Sequence, residues 1–285
     1  MELVLIGDTP LASAAAIPTF ETGPDALLID AWHIGFVCPL DLAGMLAIAY
    51  WASAAAMPVT FRLPREPNAA SYLQRMDVLR QMPRRTRIVG RIPPEERANL
   101  RHRLLEASPL TEANVNDLAE RLGSLVTAYY PKSAGPAVAR ACNELLDNAV
   151  EHGASNVGAF ITAQTYTGTT TGSPRLELAV CDNGIGILSH LRQNPEHQHL
   201  TTDEQALKKA MKDGITGTSD KRGYGLSDLI GGGRKHGTIR LHLRTGAGEI
   251  SVTATSRNQS AEVSTRRDIT RGVWAWLTHE LPAQA

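Results

Sequence analysis

Cysteine is scarce: Cys38, Cys142 and Cys181 are far apart, odd in number and in no Cys-x-x-Cys spacing. That excludes a disulfide framework and a Cys-ligated structural zinc, and it fits a reducing, cytoplasmic setting. Aromatic side chains make up only 5% of the 285 residues, so any core is built mainly from Ala, Leu, Val and Ile. A charge excess of either sign is missing. Lys plus Arg and Asp plus Glu both number 29, so no global field draws the chain to nucleic acid or anionic lipid. An uninterrupted apolar span is missing as well. Residues 42–61 carry no charge, yet Gly44, Ser53 and Pro58 break them into a buried Ala-rich helix, 42–57, and a strand, 59–63. Met1-Glu2 lacks the basic start of a secretory signal. The expectation is a soluble cytoplasmic protein with neither a nucleic-acid nor a membrane partner.

Apolar runs at 3–6, 27–29 and 59–63 predict buried strands, with helices at 42–57 and 69–79, which together suggest a small α/β domain over residues 1–85. Pro83, Arg84, Arg85, Arg87, Arg91, Pro93 and Pro94 then crowd together, and residues 86–98 read as a linker. Beyond it, residues 99–285 turn from helices to strands. Helical patterns cover 94–106, 111–130 and 132–152, and strands are expected at 157–165, 176–181, 238–243, 250–255 and 273–277. Turns are expected at 167–173 and at Gly246-Ala247-Gly248. This order predicts an α+β sandwich, with helices on one face of a mixed sheet.

Three segments carry chemistry. On the helix through 143–153, Val138, Cys142, Leu145 and Ala149 form the core seam. Glu144 and Asn148, four apart, stack on its flank, while Asp147 points away. That flank is either the edge of a pocket or a solvated polar face. The second segment is Cys181-Asp182-Asn183-Gly184-Ile185-Gly186, a strand ending in a carboxylate and two glycines. It suits either a flat ligand approaching the backbone or a tight strand-to-helix turn. A dinucleotide fingerprint fails there, because Ser189 occupies the third glycine position. The third segment is 214–229, where hydroxyls, Lys221, Arg222, Gly223 and Gly225 precede an apolar run. It suits a polyphosphate cradle or a flexible loop, and no Walker-type motif is present.

In this order and spacing the segments resemble the GHKL ATPase superfamily, the Bergerat-fold group of gyrase, chaperone, histidine-kinase and mismatch-repair ATPases. Glu144-Leu145-Leu146-Asp147-Asn148 is similar to its N box. Asp182-Asn183-Gly184-Ile185-Gly186 is similar to its first glycine box, and Arg222-Gly223-Tyr224-Gly225-Leu226 to its second. The resemblance covers roughly residues 100–280. It implies that Asn148 binds Mg²⁺ bridging the phosphates of ATP and that Asp182 accepts from the adenine amino group. Gly184 and Gly186 would shape the base pocket, and Glu144 would polarise a water or an acceptor hydroxyl. Thr216, Thr218, Ser219, Lys221 and Arg222 would form the ATP lid, with Gly223, Gly225 and Leu226 behind it. One Asn suffices for an ion that keeps waters and phosphate oxygens, and Lys221 and Arg222 supply charge neutralisation. The family's usual Gly-Thr on the last strand is Gly272-Val273 here, so a hydroxyl that helps hold adenine is lost.

Residues 1–85 resemble a STAS domain through Leu27-Leu28-Ile29-Asp30, Ile34-Gly35-Phe36-Val37 and Leu42-Ala43-Gly44-Met45-Leu46. An unrelated small α/β domain is the alternative. Where phosphorylatable STAS members carry Asp-Ser-Ser-Gly, this chain has Cys38-Pro39-Leu40-Asp41, with no acceptor hydroxyl. His102 lacks the acidic neighbour and the proline spacing of a phosphoacceptor box, and His197 and His199 read as surface groups. The resemblances imply a Mg-ATP-binding regulatory protein: an ATPase or a serine protein kinase of the anti-sigma-factor type. It would act on a STAS-like or other regulatory protein and is compatible with a homodimer. The alternative is a module that senses ATP without turnover. A dimeric clamp ranks last, because it would want a further C-terminal domain.

Overall fold

The computed structural model describes residues 1–13, 16–17, 26–95, 99–130, 135–151, 158–168, 173–212 and 230–282. The first sheet holds β1 (Glu2–Asp8), β2 (Leu27–Phe36), β3 (Val59–Arg62) and β4 (Arg87–Val89), side by side in that order with every pairing parallel. Parallel neighbours need crossover connections. Helix α1 (Pro39–Ala54) joins β2 to β3, and α2 (Pro67–Arg75) and α3 (Val78–Gln81) join β3 to β4. The left-handed backbone of Asp77, φ 60°, divides what the sequence reads as one helix over 69–79. Strand β4 falls in the stretch read as a linker. It closes the edge of β3, and Leu63 N–H donates to the Val89 carbonyl at 2.8 Å just beyond their pairing.

The second sheet contains β5 (Leu104–Leu110), β6 (Ala159–Tyr166), β7 (Arg175–Asp182), β8 (Thr238–Ala254) and β9 (Gln259–Glu280), in the order β5-β6-β7-β9-β8. Every pairing is antiparallel, so the expected mixed sheet is not found. Two further expectations change. Residues 104–106 begin a strand, where the sequence reads as helix. Leu104 and Ala107 join one core while Leu105 and Leu110 join another, and an apolar run buried on both faces has no period that separates strand from helix. No turn forms at 246–248 either. Strand β8 runs through these residues with a bulge, and the hairpin closes where Thr255 N–H meets the Asn258 carbonyl at 2.8 Å. Gly246 has φ +53°, and a Cβ there would strike the Asp203 carboxylate, which accepts the Ala247 N–H at 3.0 Å. The bulge thus seats α7 (Asp203–Ala210) on the sheet.

One face of the second sheet carries α4 (Val115–Tyr129) and α5 (Gly135–Glu151). Leu118, Leu122, Leu125, Val138, Cys142, Leu145 and Leu146 share a core with Ile161, Leu178, Val180, Leu241 and Leu277. The opposite face packs on the first unit. Phe160, Ala179, Cys181 and Trp274 share a core with Leu40, Leu46, Ile29 and Phe61, and every residue of α1 from Pro39 to Ala49 is buried. The layers are therefore sheet, α1, sheet, helices. Gly44 permits the close approach: a Cβ there would lie 2.9 Å from both Leu11 Cδ1 and Trp274 Cζ3. Polar ties cross the same boundary. Arg75 pairs with Glu106 at 2.8 Å, Tyr72 Oη donates to Gln164 Oε1, and Ile17 N–H donates to Asp268 at 2.8 Å. The three thiols are free and buried, and burial pushes Cys142 up to about 12. Among the described residues, no helix is long and apolar enough to cross a membrane.

Candidate functional site

Helix α5 ends in the last turn before residue 152 and buries the seam the sequence predicts: Val138, Cys142, Leu145 and Ala149, with Leu146 added. Glu144, Asp147 and Asn148 are all exposed. Exposure does not set Asp147 apart from its two neighbours. The Asp147 carboxyl is pushed up by partial burial and by the charge of Glu151, one turn on. The same core that holds the α5 seam includes Val180, two residues before Asp182 on the same face of β7. The helix flank and the strand-end carboxyl thus belong to one side of the sheet.

Asp182 is the last residue of β7 and is 4% exposed. Its Oδ1 accepts the Gly184 N–H at 2.7 Å, and the Val273 N–H also donates to the carboxyl. These bonds favour the charged form, but desolvation is the larger effect and raises the pKa to about 7. Gly272 on β9 lies against the carboxyl with φ +71°, and a Cβ there would run into the Asp182 carbonyl oxygen, Oδ1 and Gly184 N. Only glycine leaves room for this arrangement.

The chain then turns into α6 (Gly186–Leu191). Gly186 has φ +76°, and a Cβ on it would sit 2.8 Å from Thr245 Oγ1. That hydroxyl accepts the Ile187 N–H at 3.1 Å, satisfying one of the free donors at the start of α6. Thr245 pairs with Val273 across β8 and β9 and is fully buried. A hydroxyl is thus found on the strand beside Val273, a placement that only sheet register reveals.

Asn183 is buried beneath the turn. Its N–H donates to the Gly158 carbonyl at 3.3 Å, and its Nδ2 donates to the Ala47 carbonyl of α1 at 3.0 Å. Its own carbonyl accepts Arg271 Nε at 3.1 Å, and the Arg271 guanidinium lies over the Trp51 ring at 5.7 Å. The sequence reading assigns no role to Asn183, Thr245 or Arg271, since nothing in their spacing links them.

The expected lid residues Thr216, Thr218, Ser219, Lys221, Arg222, Gly223, Gly225 and Leu226 lie outside the described residues. Among the histidines the surface reading fails for His197, which is buried, and holds for His199. Deeper still is His279. Its Nε2 lies 2.9 Å from the Gly233 carbonyl, its ring packs on Tyr130, and burial lowers it to about 4. Among the described residues, no group of His, Cys, Asp and Glu is arranged to hold a metal ion.

No protein-family model matches the chain, and no curated protein matches it.

Proposed function

We propose that the second unit binds Mg-ATP in the manner of the GHKL ATPases it resembles and transfers the γ-phosphoryl group to water or to a serine of a partner protein. The observation that carries this reading is the setting of Asp182. A carboxyl is buried at a strand end, gripped by two backbone N–H groups and flanked by Gly184, Gly186 and Gly272, on the side of the sheet that carries the helix with Glu144 and Asn148. A buried carboxyl is costly unless it has a task, and accepting a bond from the amino edge of a flat base is such a task.

Asn148 would hold the Mg²⁺. An exposed amide oxygen fits an ion that keeps most of its waters and takes its other ligands from phosphates. When bound, the ion supplies charge neutralisation at the phosphates. Glu144, on the same flank four residues earlier, would take the proton from the attacking hydroxyl. The first unit resembles a STAS domain without its acceptor serine, and it acts by contact: Cys38, Leu40 and Asp41 are all buried, and Cys38 and Leu40 share a core with Phe160 and Trp274 of the second sheet.

The test is the melting temperature of the full chain with Mg²⁺ and ATP, ADP or GTP. A rise with ATP and ADP that exceeds the rise with GTP supports the reading, since a ligand that binds only the folded state stabilises it by mass action. No rise with any adenine nucleotide, or an equal rise with GTP, removes the role given to Asp182. Incubation with labelled ATP then separates phosphate release from a labelled partner.

A further inference from the structure

We propose that Asn183 is a positioning residue that anchors the Asp182 turn on the first unit, so that α1 supports the ligand site and feels its occupancy. The inference rests on the ATP-binding reading for its ligand, and on geometry alone for the anchor. Asp182 and Asn183 are consecutive, so they leave the backbone in opposite directions: the carboxyl belongs to the helix-bearing face and the amide reaches α1 on the other. The amide is 1% exposed, and its bond to the Ala47 carbonyl joins the candidate site to a helix of the other unit, 136 residues away in sequence.

A second tie runs parallel to it. Arg271 holds the Asn183 carbonyl while lying over Trp51, one helical turn beyond Ala47, and Arg271 immediately precedes the Gly272 that packs against the Asp182 carboxyl. Around these bonds the contact is apolar and close, with Tyr50 against Phe160 at 4.8 Å between ring centroids and Gly44 against Trp274. A shift of the turn cannot be absorbed by loose packing here, because Ala47, Asn183, Phe160 and Trp274 are all buried. Either the turn is held where α1 holds it, or both move together.

The experiment is amide hydrogen exchange on the full chain, apo and with saturating Mg-ATP, for wild type, Asn183→Ala, Asn183→Asp and Arg271→Gln. In the apo protein the anchor predicts that each variant speeds exchange of the Gly184 and Ile187 amides by roughly fivefold, the worth of one ordinary hydrogen bond. The Asp variant keeps the size of Asn but loses the donor, so it should behave like Ala. With ATP, wild type should gain protection across 39–54, and the variants should bind ATP roughly fivefold more weakly and lose most of that gain. Arg271 is exposed, so its variant carries the test if the Asn183 variants fail to fold. Unchanged apo exchange of Gly184 and Ile187 in Arg271→Gln and in any folded Asn183 variant overturns the anchor. So does ATP binding to wild type with no change across 39–54. Wild type that binds no ATP, with apo exchange altered as expected, instead overturns the ATP reading and leaves the anchor standing.

Discussion

Replacing Asp182 by Asn should make the protein more stable at alkaline pH and unable to hold an adenine nucleotide. Desolvation lifts the folded carboxyl from 3.8 to about 7, a difference worth about 4 kcal/mol in favour of the neutral form. The sign follows from proton counting. Between roughly pH 4 and pH 7 the folded chain binds this proton and the unfolded chain does not, so stability falls as pH rises through that window. Above about pH 7 the full penalty of the buried charge is present. Asparagine carries no charge and can still accept the Gly184 N–H through its oxygen. Its NH₂ group cannot accept, and a buried donor left without an acceptor there costs about 1–3 kcal/mol. At pH 8 the variant should therefore gain about 1–3 kcal/mol over wild type, and at pH 4.5, where only about 1 kcal/mol of the penalty remains, it should lose up to about 2 kcal/mol. Urea denaturation at the two pH values measures both differences, and thermal shift with ATP measures the loss of binding. A stability difference that is the same at both pH values would refute the burial argument. A variant that binds ATP as wild type does would refute the ligand argument.

Glu144→Ala should abolish phosphoryl transfer and leave nucleotide affinity within about twofold, because a general base acts on the attacking group and barely touches the bound nucleotide. Asn148→Ala should instead weaken Mg-ATP binding about tenfold or more, and calorimetric titration of the two variants decides whether the roles are as assigned. Intact mass and peptide mapping after incubation with Mg-ATP should find no phosphate in residues 34–43, since Leu40 has no hydroxyl and the whole loop start is buried.

The α5 seam, the strand ending in Asp182 and the turn into α6 were legible because each obeys a short-range rule: a helical period, an apolar run closed by glycine, a strand-to-helix junction. What escaped was set by register and by burial on two sides. Thr245 stands next to Val273 only because β8 pairs with β9 through a bulge that Gly246 makes, and the glycines there read as a hairpin until Asp203 is seen to fill the space. Strand β5 read as helix because Leu104, Leu105, Ala107 and Leu110 give no clean alternation when both faces are covered. Strand β4 read as linker because its arginines and flanking prolines outweigh a three-residue pairing.

The two-sided burial of α1 has its own sequence trace, and it bears on whether the units can be separated. A helix apolar all round needs partners on both sides, and from Pro39 to Ala49 α1 leaves no residue exposed. The first sheet covers one side of it, and Phe160, Ala179, Cys181 and Trp274 cover the other. A protein cut at the stretch before residue 99 would leave those four side chains in water on the second unit. Their combined burial is worth about 1.5–3 kcal/mol for each large side chain, and the exposed patch would be of the kind that drives association. Residues 99–285 expressed alone should therefore aggregate or bind a hydrophobic dye, and should melt well below the full chain. The matching cut should leave Leu40 and its neighbours on α1 equally uncovered. A soluble, monomeric 99–285 fragment with the melting temperature of the full chain would show that the second sheet needs no cover, and that the shared core adds little to its stability.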